Sequence, residues 1–472
     1  MPAVPERHPR LILGMLSCCG VLVAIMQTII VPLLPSLPRL THSGADDVSW
    51  TVTITLLTGA VFTPLLGRAG DMYGKRRVLL TALVGMVIGS LMCATSSDLL
   101  TLIIGRGLQG AAVAVVPLGI SILRDVVPPE RVIPSIAIMS ATLGVGAAFG
   151  IPIATAVIEY TEWHTMFWVS AALGVIVVIA VALIVPESTL RTRGRFDVPG
   201  ALGLSAFLAC LLLVVSKGSS WGWDSPATLW LAAAAVIVGP LWAFYQLRVS
   251  APLVDVAVSI RPAVLFTNLS ALLIGFAFYA NSLATAQLVQ EPASTGYGLG
   301  ASIFVSGLCL LPGGVAMVIL SPVSARLSAA RGPRFTLTLA TVILAVGYAV
   351  RLFTSDSLAG IIVGATVVAS GTAVAYSTLP ALIMQAVPVT ETAAANGLNT
   401  LMRTIGQAVC SAIVATVLAH LVAVHAGHSA PTLGAYYLVF VIAGAAALGA
   451  LVLTLLIPAK RPARVLAGAG AS

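Results

Sequence analysis

Apolar residues are gathered along the chain into fourteen long runs, which short polar segments separate. A helix needs about 20 mostly apolar residues to cross a bilayer, whereas the strands of membrane barrels show about 10 residues of alternating polarity. The pattern therefore predicts an all-α membrane protein with fourteen transmembrane helices. The predicted spans run from Leu11 to Leu34, Val48 to Leu66, Val78 to Thr95, Leu99 to Leu123, Val132 to Val157, His164 to Val185, Val198 to Ser216, Ala227 to Leu247, Ala263 to Val289, Ala301 to Val323, Phe335 to Phe353, Leu358 to Met384, Leu398 to Val422 and Ala435 to Ile457.

The composition supports a membrane location. Charged residues make up 8% of the 472 residues and hydrophobic residues 59%, with a mean hydropathy of +1.06. A soluble protein carries about 25% charged residues, and disordered chains, coiled coils and disulfide scaffolds need compositions that this sequence lacks. The first run follows Arg7 and Arg10 without a small-residue cleavage site, so it is predicted to be an uncleaved first span.

The basic residues lie mostly in alternate loops. Nineteen of the 24 fall in the two tails and the even-numbered loops, while Arg39, Lys217 and Arg351 are assigned to the other side and Arg106 and Arg403 to the spans. Lys and Arg collect in cytoplasmic loops, so the chain is predicted to be a multi-pass protein of the cell (inner or plasma) membrane with both termini cytoplasmic. The net charge of +8 is then an orientation signal that suits contact with membrane lipids, and no basic run is long enough to suggest nucleic-acid binding.

No constellation of catalytic residues stands out. The sequence has no HExxH, GxSxG, Walker A or CxxC motif, and its six cysteines all fall in predicted spans as small packing residues. His420, His425 and His428 cluster near the end of span thirteen, where a solvated loop is favoured over a metal or pH-sensing site. The sequence therefore predicts no catalytic residues, no metal and no cofactor.

The two halves of the chain echo each other. At an offset of 258 residues, the segment that begins at Gly67 aligns with the one that begins at Ala325, and Arg68, Gly74 and Arg76 recur as Arg326, Gly332 and Arg334. Parallel repeats of six spans are known in secondary transporters. The predicted organisation is an N-terminal six-helix bundle at 1–195, an inserted helical pair at 196–248 and a C-terminal six-helix bundle at 249–472.

Several motifs in combination resemble those of a known family. Gly67-x3-Asp71-x2-Gly74-Lys75-Arg76-Arg77 stands between spans two and three, Arg106-x2-Gln109-Gly110 stands in span four, and Asn396-Gly397-Leu398-Asn399 precedes Arg403. Over nearly the whole chain the sequence resembles the major facilitator superfamily, in its fourteen-span drug:proton antiporter branch of multidrug and antibiotic efflux proteins.

The resemblance implies a secondary transporter rather than an enzyme. It would export small amphipathic or apolar compounds by proton antiport with alternating access, use the proton motive force in place of a cofactor, and work as a monomer. Many members carry an Asp in span one where this chain has Met26, so the usual proton carrier is missing. The alternatives are an uncoupled facilitator or importer of a small molecule, or a membrane receptor or scaffold without transport.

Arg106 is the centre of the predicted proton-coupling site. A guanidinium keeps its proton and needs a polar partner in hydrocarbon, for which Gln27 and Gln109 are the neutral candidates. Glu159 and His164 are the peripheral candidates for a proton relay. The alternatives are a structural hydrogen-bonding role for Arg106 and an interfacial role for His164.

A conformational latch is implied by the resemblance. Asp71 would contact the N-terminal end of span thirteen, whose helix dipole favours an anion, and Gly74 would relax the tight turn. Arg76 and Arg77 would pair with Asp125 or with Glu130.

The substrate cavity is predicted around span nine. Asn281 and Tyr279 flank its middle, and Asn268, Gln287 and Tyr376 are further candidates, with hydrogen bonding between helices as the alternative role. In span five, Gly146, Gly150 and Pro152 are predicted to form a hinge, with close helix packing as the alternative role for the glycines.

Overall fold

The structure is a computed structural model, which describes residues 9–30, 33–34, 36–188, 190–192, 194–355, 357–425 and 428–458. Its long helices follow the predicted runs closely. They are α1 (Pro9–Thr28), α2 (Trp50–Tyr73), α3 (Lys75–Thr95), α4 (Leu99–Val126, with a 3₁₀ turn at Ala112–Ala114), α5 (Pro129–Tyr160), α6 (His164–Ile184), α7 (Val198–Trp221), α8 (Pro226–Gln246), α9 (Pro262–Gln290), α10 (Ile303–Arg331), α11 (Pro333–Thr354), α12 (Leu358–Ala386), α13 (Thr392–His420) and α14 (Leu433–Leu456).

Thirteen helices in the described part of the chain are long and apolar enough to cross a membrane. The fifth predicted span falls in α5, a helix of 32 residues in which a few side chains lie outside the described residues. The protein is therefore a helical membrane protein, and the count of fourteen spans stays a prediction.

Short elements connect the long helices. The connections include one-turn helices at Leu37–Leu40, Ala45–Val48 and Val256–Ser259, and 3₁₀ turns at Ala293–Thr295 and Val389–Glu391. A small antiparallel hairpin, β1 (Val422–His425) with β2 (His428–Pro431), precedes α14 and departs from the all-α prediction. It lies in the connection that carries the predicted histidine cluster.

Local sequence signals explain where many helices begin and end. The side chains of Asp98, Ser302 and Thr432 each accept a hydrogen bond from a backbone N–H in the first turn of α4, α10 and α14. Gly74 and Gly332 have φ of +116° and +85° between consecutive helices, a backbone conformation that a side chain would strain. These turns are tight, so α2–α3 and α10–α11 follow each other almost without a loop.

Each half of the chain forms a bundle with its own apolar core. The core of α1–α6 contains Leu16, Leu79 and Phe167, and that of α9–α14 contains Leu344, Leu379 and Phe440. Small residues let the helices approach: a Cβ on Gly89 of α3 would lie 3.0 Å from Leu108 Cβ and would overlap the backbone of α4.

The connections α2–α3, α4–α5, α6–α7 and α12–α13 lie at one end of the molecule. Lys75 binds Asp125 there, and the backbone of Arg76 binds Glu187. We call this end the basic face, because it carries Arg68, Lys75, Arg76, Arg77, Arg124 and Arg131. The other end, with the α1–α2, α3–α4 and α5–α6 connections, is the opposite face.

The pair α7–α8 lies outside the two bundles and covers their junction. Leu208 and Leu212 of α7 share a core with Ala60 of α2 and with Leu401 and Ile405 of α13. Asp197 caps α7 and binds the side chains of Tyr245 and Gln246, whereas α8 exposes large apolar residues including Trp230, Val236, Ile237 and Leu241. Helix α7 thus packs on both bundles, and α8 exposes an apolar surface of the kind that faces lipid.

The span-five glycines form close contacts with α1. A Cβ on Gly146 would lie 2.7 Å from the carbonyl carbon of Ala24, and one on Gly150 would overlap the hydroxyl of Thr28. Helix α5 continues through Pro152 without a break. The glycines therefore serve packing in this structure, and a hinge at this point stays a prediction.

Gly146→Ala is expected to loosen the packing of α1 on α5. The added methyl group meets backbone atoms, which cannot move aside as a side chain can, so the free energy of unfolding should fall by about 1–3 kcal/mol. Gly14→Ala is the control, since a Cβ there meets nothing within 4 Å. Melting temperatures of both variants by fluorescence-detected size exclusion check this, and equal values would contradict it.

Candidate functional site

Asp71 joins the two bundles at the basic face. Its carboxylate accepts hydrogen bonds from the backbone N–H groups of Ala394 at 2.9 Å and Ala393 at 3.3 Å, in the first turn of α13. The side chain is fully buried. A helix N-terminus has unpaired N–H groups and a positive dipole end, so it suits a carboxylate that no water can reach.

The basic residues beside Asp71 differ from the prediction. Lys75, rather than Arg76 or Arg77, forms the ion pair with Asp125, at 2.7 Å, and Lys75 Nζ lies 3.9 Å from Asp71. Successive positions on a helix point about 100° apart, so Lys75 faces inward while the two arginines face the end of α6. Their backbone N–H groups donate to Glu187 at 3.1 and 3.3 Å.

Gly74 is required by this arrangement. A Cβ on Gly74 would lie 2.8 Å from the carboxylate of Glu187, and its φ is in the left-handed region. The Arg76 guanidinium donates to the carbonyl of Ala182 in α6. The predicted latch residues are thus close together. Besides the Lys75–Asp125 ion pair, Arg77 forms an ion pair with Glu187.

Two further side chains join the bundles near Asp71. Arg124 donates to the hydroxyl of Thr392 at 2.7 Å and to the carbonyl of Met384 at 3.1 Å. The Thr192 hydroxyl donates to the carbonyl of Thr390 at 2.7 Å. Sequence reasoning missed both, although Arg124 could have been found as a basic residue at the end of span four, beside Asp125. The bundles are closed at the basic face.

A pocket of about 280 Å³ lies beside these contacts at the basic face. It is lined by Arg68, Thr192 and the segment before α9, by Glu391 of the α12–α13 connection and by Ala394 of α13. Because Thr192 and Ala394 belong to the closure, a molecule in this pocket would touch the groups that hold the bundles together.

Arg106 connects four helices of the N-terminal bundle. Its Nη1 donates to the carbonyl of Met26 in α1 at 2.8 Å and to Gln109 Oε1 at 2.7 Å, and its Nε donates to the carbonyl of Thr51 in α2 at 3.4 Å. Gln109 in turn donates to the hydroxyl of Ser90 in α3 at 2.9 Å. Neutral oxygens hydrogen-bond with this fully buried guanidinium, which ties α4 to its neighbours, and a role in proton coupling stays a prediction.

Of the other predicted proton-coupling residues whose side chains the structure describes, Gln27 and His164 do not hydrogen-bond with Arg106. Gln27 is half-buried near the end of α1, and the side chain of Glu159 lies outside the described residues. His164 hydrogen-bonds with the Ser97 hydroxyl at 3.2 Å at the opposite face. Nearby Asp98 accepts the backbone N–H of Thr101, which holds the pKa of Asp98 below its usual range and keeps that acid ionised at neutral pH.

Arg351 corrects the sequence assignment. The charge distribution assigned it to the opposite side, but it lies three residues before the end of α11 and is fully buried. Its Nη1 donates to Asn281 Oδ1 at 2.5 Å and to the Thr285 hydroxyl at 2.7 Å, and its guanidinium lies 4.1 Å from the centre of the Phe440 ring. The apolar run that reaches Phe353 already enclosed this arginine, and that was the missed signal.

A cavity at mid-depth lies where α5 packs against the C-terminal bundle. Asn281 lines it, with Phe278 and Ser282 of α9, Gly144 of α5 and apolar residues of α10 and α12. The space inside is about 30 Å³, roughly one water molecule. Drug-sized ligands need roughly 300 Å³ or more, so they would bind after α5 and α10 separate.

The remaining predicted cavity residues lie elsewhere. Asn268 accepts a hydrogen bond from Asn399 in α13 at 3.0 Å, which is the interhelical role. Tyr279 is half-buried, and Gln287 is exposed two turns beyond the cavity. Tyr376 is buried one layer behind it, with its ring 5.6 Å from that of Phe278.

Arg403 packs against Tyr376, behind the residues that line the cavity. Its guanidinium lies 4.5 Å from the centre of the Tyr376 ring, and its Nη2 donates to the Thr400 hydroxyl at 3.4 Å. The side chain keeps 7% of its surface exposed. The sequence motif contained Arg403, but its place in the middle of a span was not used as a signal for the cavity.

His420 Nδ1 lies 2.9 Å from the carbonyl of Thr416, and the side chains of His425 and His428 lie outside the described residues. Among the residues that the structure describes, no group of three His, Cys, Asp or Glu is placed to hold a metal ion.

Comparison with known proteins gives consistent matches. The family model of the Major Facilitator Superfamily matches residues 16–411 and 267–471. Multidrug resistance protein Stp of Mycobacterium tuberculosis is 26% identical over 404 residues, which cover 85% of this chain and 74% of Stp. The tetracenomycin C resistance and export protein of Streptomyces glaucescens is 27% identical over 66% of this chain and 57% of its own length.

Among solved structures, the human organic anion transporter MFSD10 (TETRAN) has a similar fold. Its TM-score is 0.70 at 16% sequence identity, over 95% of this chain and 100% of that one.

Asp71→Asn is expected to weaken closure of the basic face. The amide cannot satisfy two N–H donors with a full charge, which should cost about 1–2 kcal/mol and raise the open population roughly 5- to 30-fold. In a background without native cysteines, Ala137→Cys on the α5–α10 contact reports opening, because it is 1% exposed. Its rate of reaction with a soluble maleimide in nanodiscs should rise accordingly.

Glu187→Gln is the matched control for this change. It also removes a carboxylate at the basic face, but Glu187 binds groups of its own bundle. Equal maleimide rates in the Asp71 and Glu187 variants would contradict a closing role for Asp71.

Proposed function

The chain belongs to the major facilitator superfamily, and on that basis we propose that it exports small amphipathic compounds by alternating access, with protons moving in the opposite direction. It is a multi-pass transporter rather than an enzyme. The export direction, the substrate class and the proton coupling are the proposed parts.

One observation carries the proposal: a closed face and a central cavity lie on the same bundle interface. The contacts of Asp71, Arg124 and Thr192 hold the basic face shut, while the cavity at Asn281 lies deeper along the junction of α5 and α10. Breaking the first set would let the bundles rock apart and expose the second.

The residues that line the cavity suit amphipathic substrates. Most of their side chains are apolar or small, with the Asn281 amide and the Ser282 hydroxyl as polar groups. Such surfaces bind by shape and apolar contact rather than by a fixed set of hydrogen bonds. The names of the relatives, multidrug resistance and tetracenomycin C export, agree with outward movement of such compounds.

The basic face is proposed to be cytoplasmic. Lys and Arg collect on the cytoplasmic side of membrane proteins, which puts both termini there and the opposite face outside the cell membrane. In that orientation the structure is closed towards the cytoplasm, and loss of the Asp71 contact favours opening inwards.

Proton coupling is proposed through Glu159 or His164 near the opposite face. One proton that crosses about 150 mV supplies about 3.5 kcal/mol, enough for a gradient of roughly 300-fold. Each acid within a long helix lies within three residues of a helix end, an observation that favours an uncoupled facilitator as the second candidate.

Purified protein in proteoliposomes tests the proposal with a pH gradient and an amphipathic dye. We expect gradient-driven dye movement, and at least a tenfold lower rate in Arg106→Ala, which loses the hydrogen bonds to α1 and α2. Size-exclusion profiles and dye binding separate this loss from misfolding.

Glu159→Gln tests the coupling itself, with Glu162→Gln as the control in the same segment. Dye movement that no longer follows the pH gradient in the first variant alone would support Glu159 as the carrier. If neither the parent nor any variant moved a dye under any gradient, the export proposal would fail.

A further inference from the structure

We propose that the central cavity selects compounds that carry a negative charge, such as amphipathic carboxylates and phenolates. This inference rests on the proposed function, since it names the substrate class of that same site. The argument starts from the sign of the charges that surround the cavity.

The deep charges of the described helices are all positive. Arg106 is the eighth residue of α4 and Arg403 the twelfth of α13, while Arg351, three residues before the end of α11, turns its side chain inward to Asn281. At 1.5 Å per residue, Arg403 is about 16 Å from Thr392, near the middle of a hydrocarbon core of about 30 Å. The ion pairs of the described residues join Lys75 to Asp71 and Asp125 and Arg77 to Glu187, all at the basic face.

Arg351 stands directly behind the cavity wall. Its Nη1 holds the Asn281 side chain, whose Nδ2 donates to the carbonyl of Ala365 at 3.2 Å, and both Asn281 and Ala365 line the cavity. Nε and Nη2 of Arg351 are buried without a hydrogen-bond partner among the described residues. Its charge is therefore only partly compensated, and its field reaches the cavity through one side chain.

Arg403 is separated from the cavity by two aromatic rings. The Arg403 guanidinium lies against the Tyr376 ring, and the next ring, that of Phe278, lines the cavity. Unlike Arg106 and Arg351, Arg403 keeps measurable exposure, at 7% against 1% and 0%. Arg403 is therefore the least enclosed of the three arginines, and its field reaches the cavity through the two rings.

Partly compensated cations close behind the wall of a water-poor cavity act on the charge of a ligand. Electrostatic interactions there are less screened than at a surface. An anion should therefore bind more tightly, and a cation more weakly, than a neutral compound of the same shape. Aromatic side chains beside the arginines add a flat apolar surface for the rest of the molecule. An aromatic acid fits both features.

The same charge changes the energetics of export. An anion that leaves a cell with an inside-negative potential moves down that potential, which supports roughly a 50-fold gradient per 100 mV for one charge. A transporter whose helices carry acids only near their ends can then export against a concentration difference without a deep proton carrier.

A matched dye pair tests the selection. Fluorescein methyl ester is an anion at mildly alkaline pH, and rhodamine 123 is a cation with the same ring system and ester. Fluorescence anisotropy with the full chain in nanodiscs measures binding without transport. We expect the anion to bind at least about tenfold more tightly, and Arg403→Gln to remove most of that preference.

Two further variants keep the test independent of folding. Ser282→Asp adds a negative charge to the cavity lining while every arginine stays in place, and should weaken the anion at least tenfold without weakening the cation. Arg326→Gln removes an exposed cation at the basic face and should leave both affinities unchanged.

A cation that binds as tightly as the anion, an anion preference that survives both Arg403→Gln and Ser282→Asp, or failure of both dyes to bind would overturn the inference. Each result leaves the export proposal to its own pH-gradient assay. In vesicles without a pH gradient, a potassium–valinomycin potential should move the anion towards the positive side. Lack of any response to the potential would contradict export driven by the membrane potential.

Discussion

A charge buried in a membrane protein must find its partners inside the protein, because hydrocarbon offers none. Asp71 finds them in the first turn of α13, and so joins two halves of the chain that few other polar contacts join. Arg106 finds them in the carbonyls of α1 and α2 and in Gln109. The closed basic face and the position of α1 in its bundle both follow from this requirement.

The two bundles meet the same requirement with one fully buried arginine each. Arg106 ties α4 to α1, and Arg351 ties α11 to α9, which is the first helix of the C-terminal bundle. Arg351 also fixes Asn281 in the cavity wall, so the same asparagine serves helix packing and the proposed ligand binding. Arg403 is held more loosely, against the face of Tyr376, and is the one free to respond to a ligand.

Sequence patterns predicted the long helices well, because each needs one long apolar run. The family resemblance implied the contact of Asp71 with α13, and the place of Asn281 in the middle of a span suggested the cavity. The side of a helix on which a given residue lies was not predictable in the same way, since Lys75 rather than Arg76 or Arg77 faces Asp125. Arg351 was counted with the opposite side, although it lies just inside the end of the predicted span Phe335 to Phe353. Only packing decides whether such a charge leaves the membrane or turns inward to Asn281.

Rocking of the two bundles about the central cavity changes the distances between pairs of spin labels at the two faces, which double electron–electron resonance measures. In a cysteine-free background, one label pair would sit at Arg131 and Ala330 on the basic face, and another at Tyr160 and Phe304 on the opposite face, positions that are all exposed. The account predicts that a transported anion shifts the two distance distributions in opposite directions. Distributions that stay fixed, or that widen together at both faces, would contradict it.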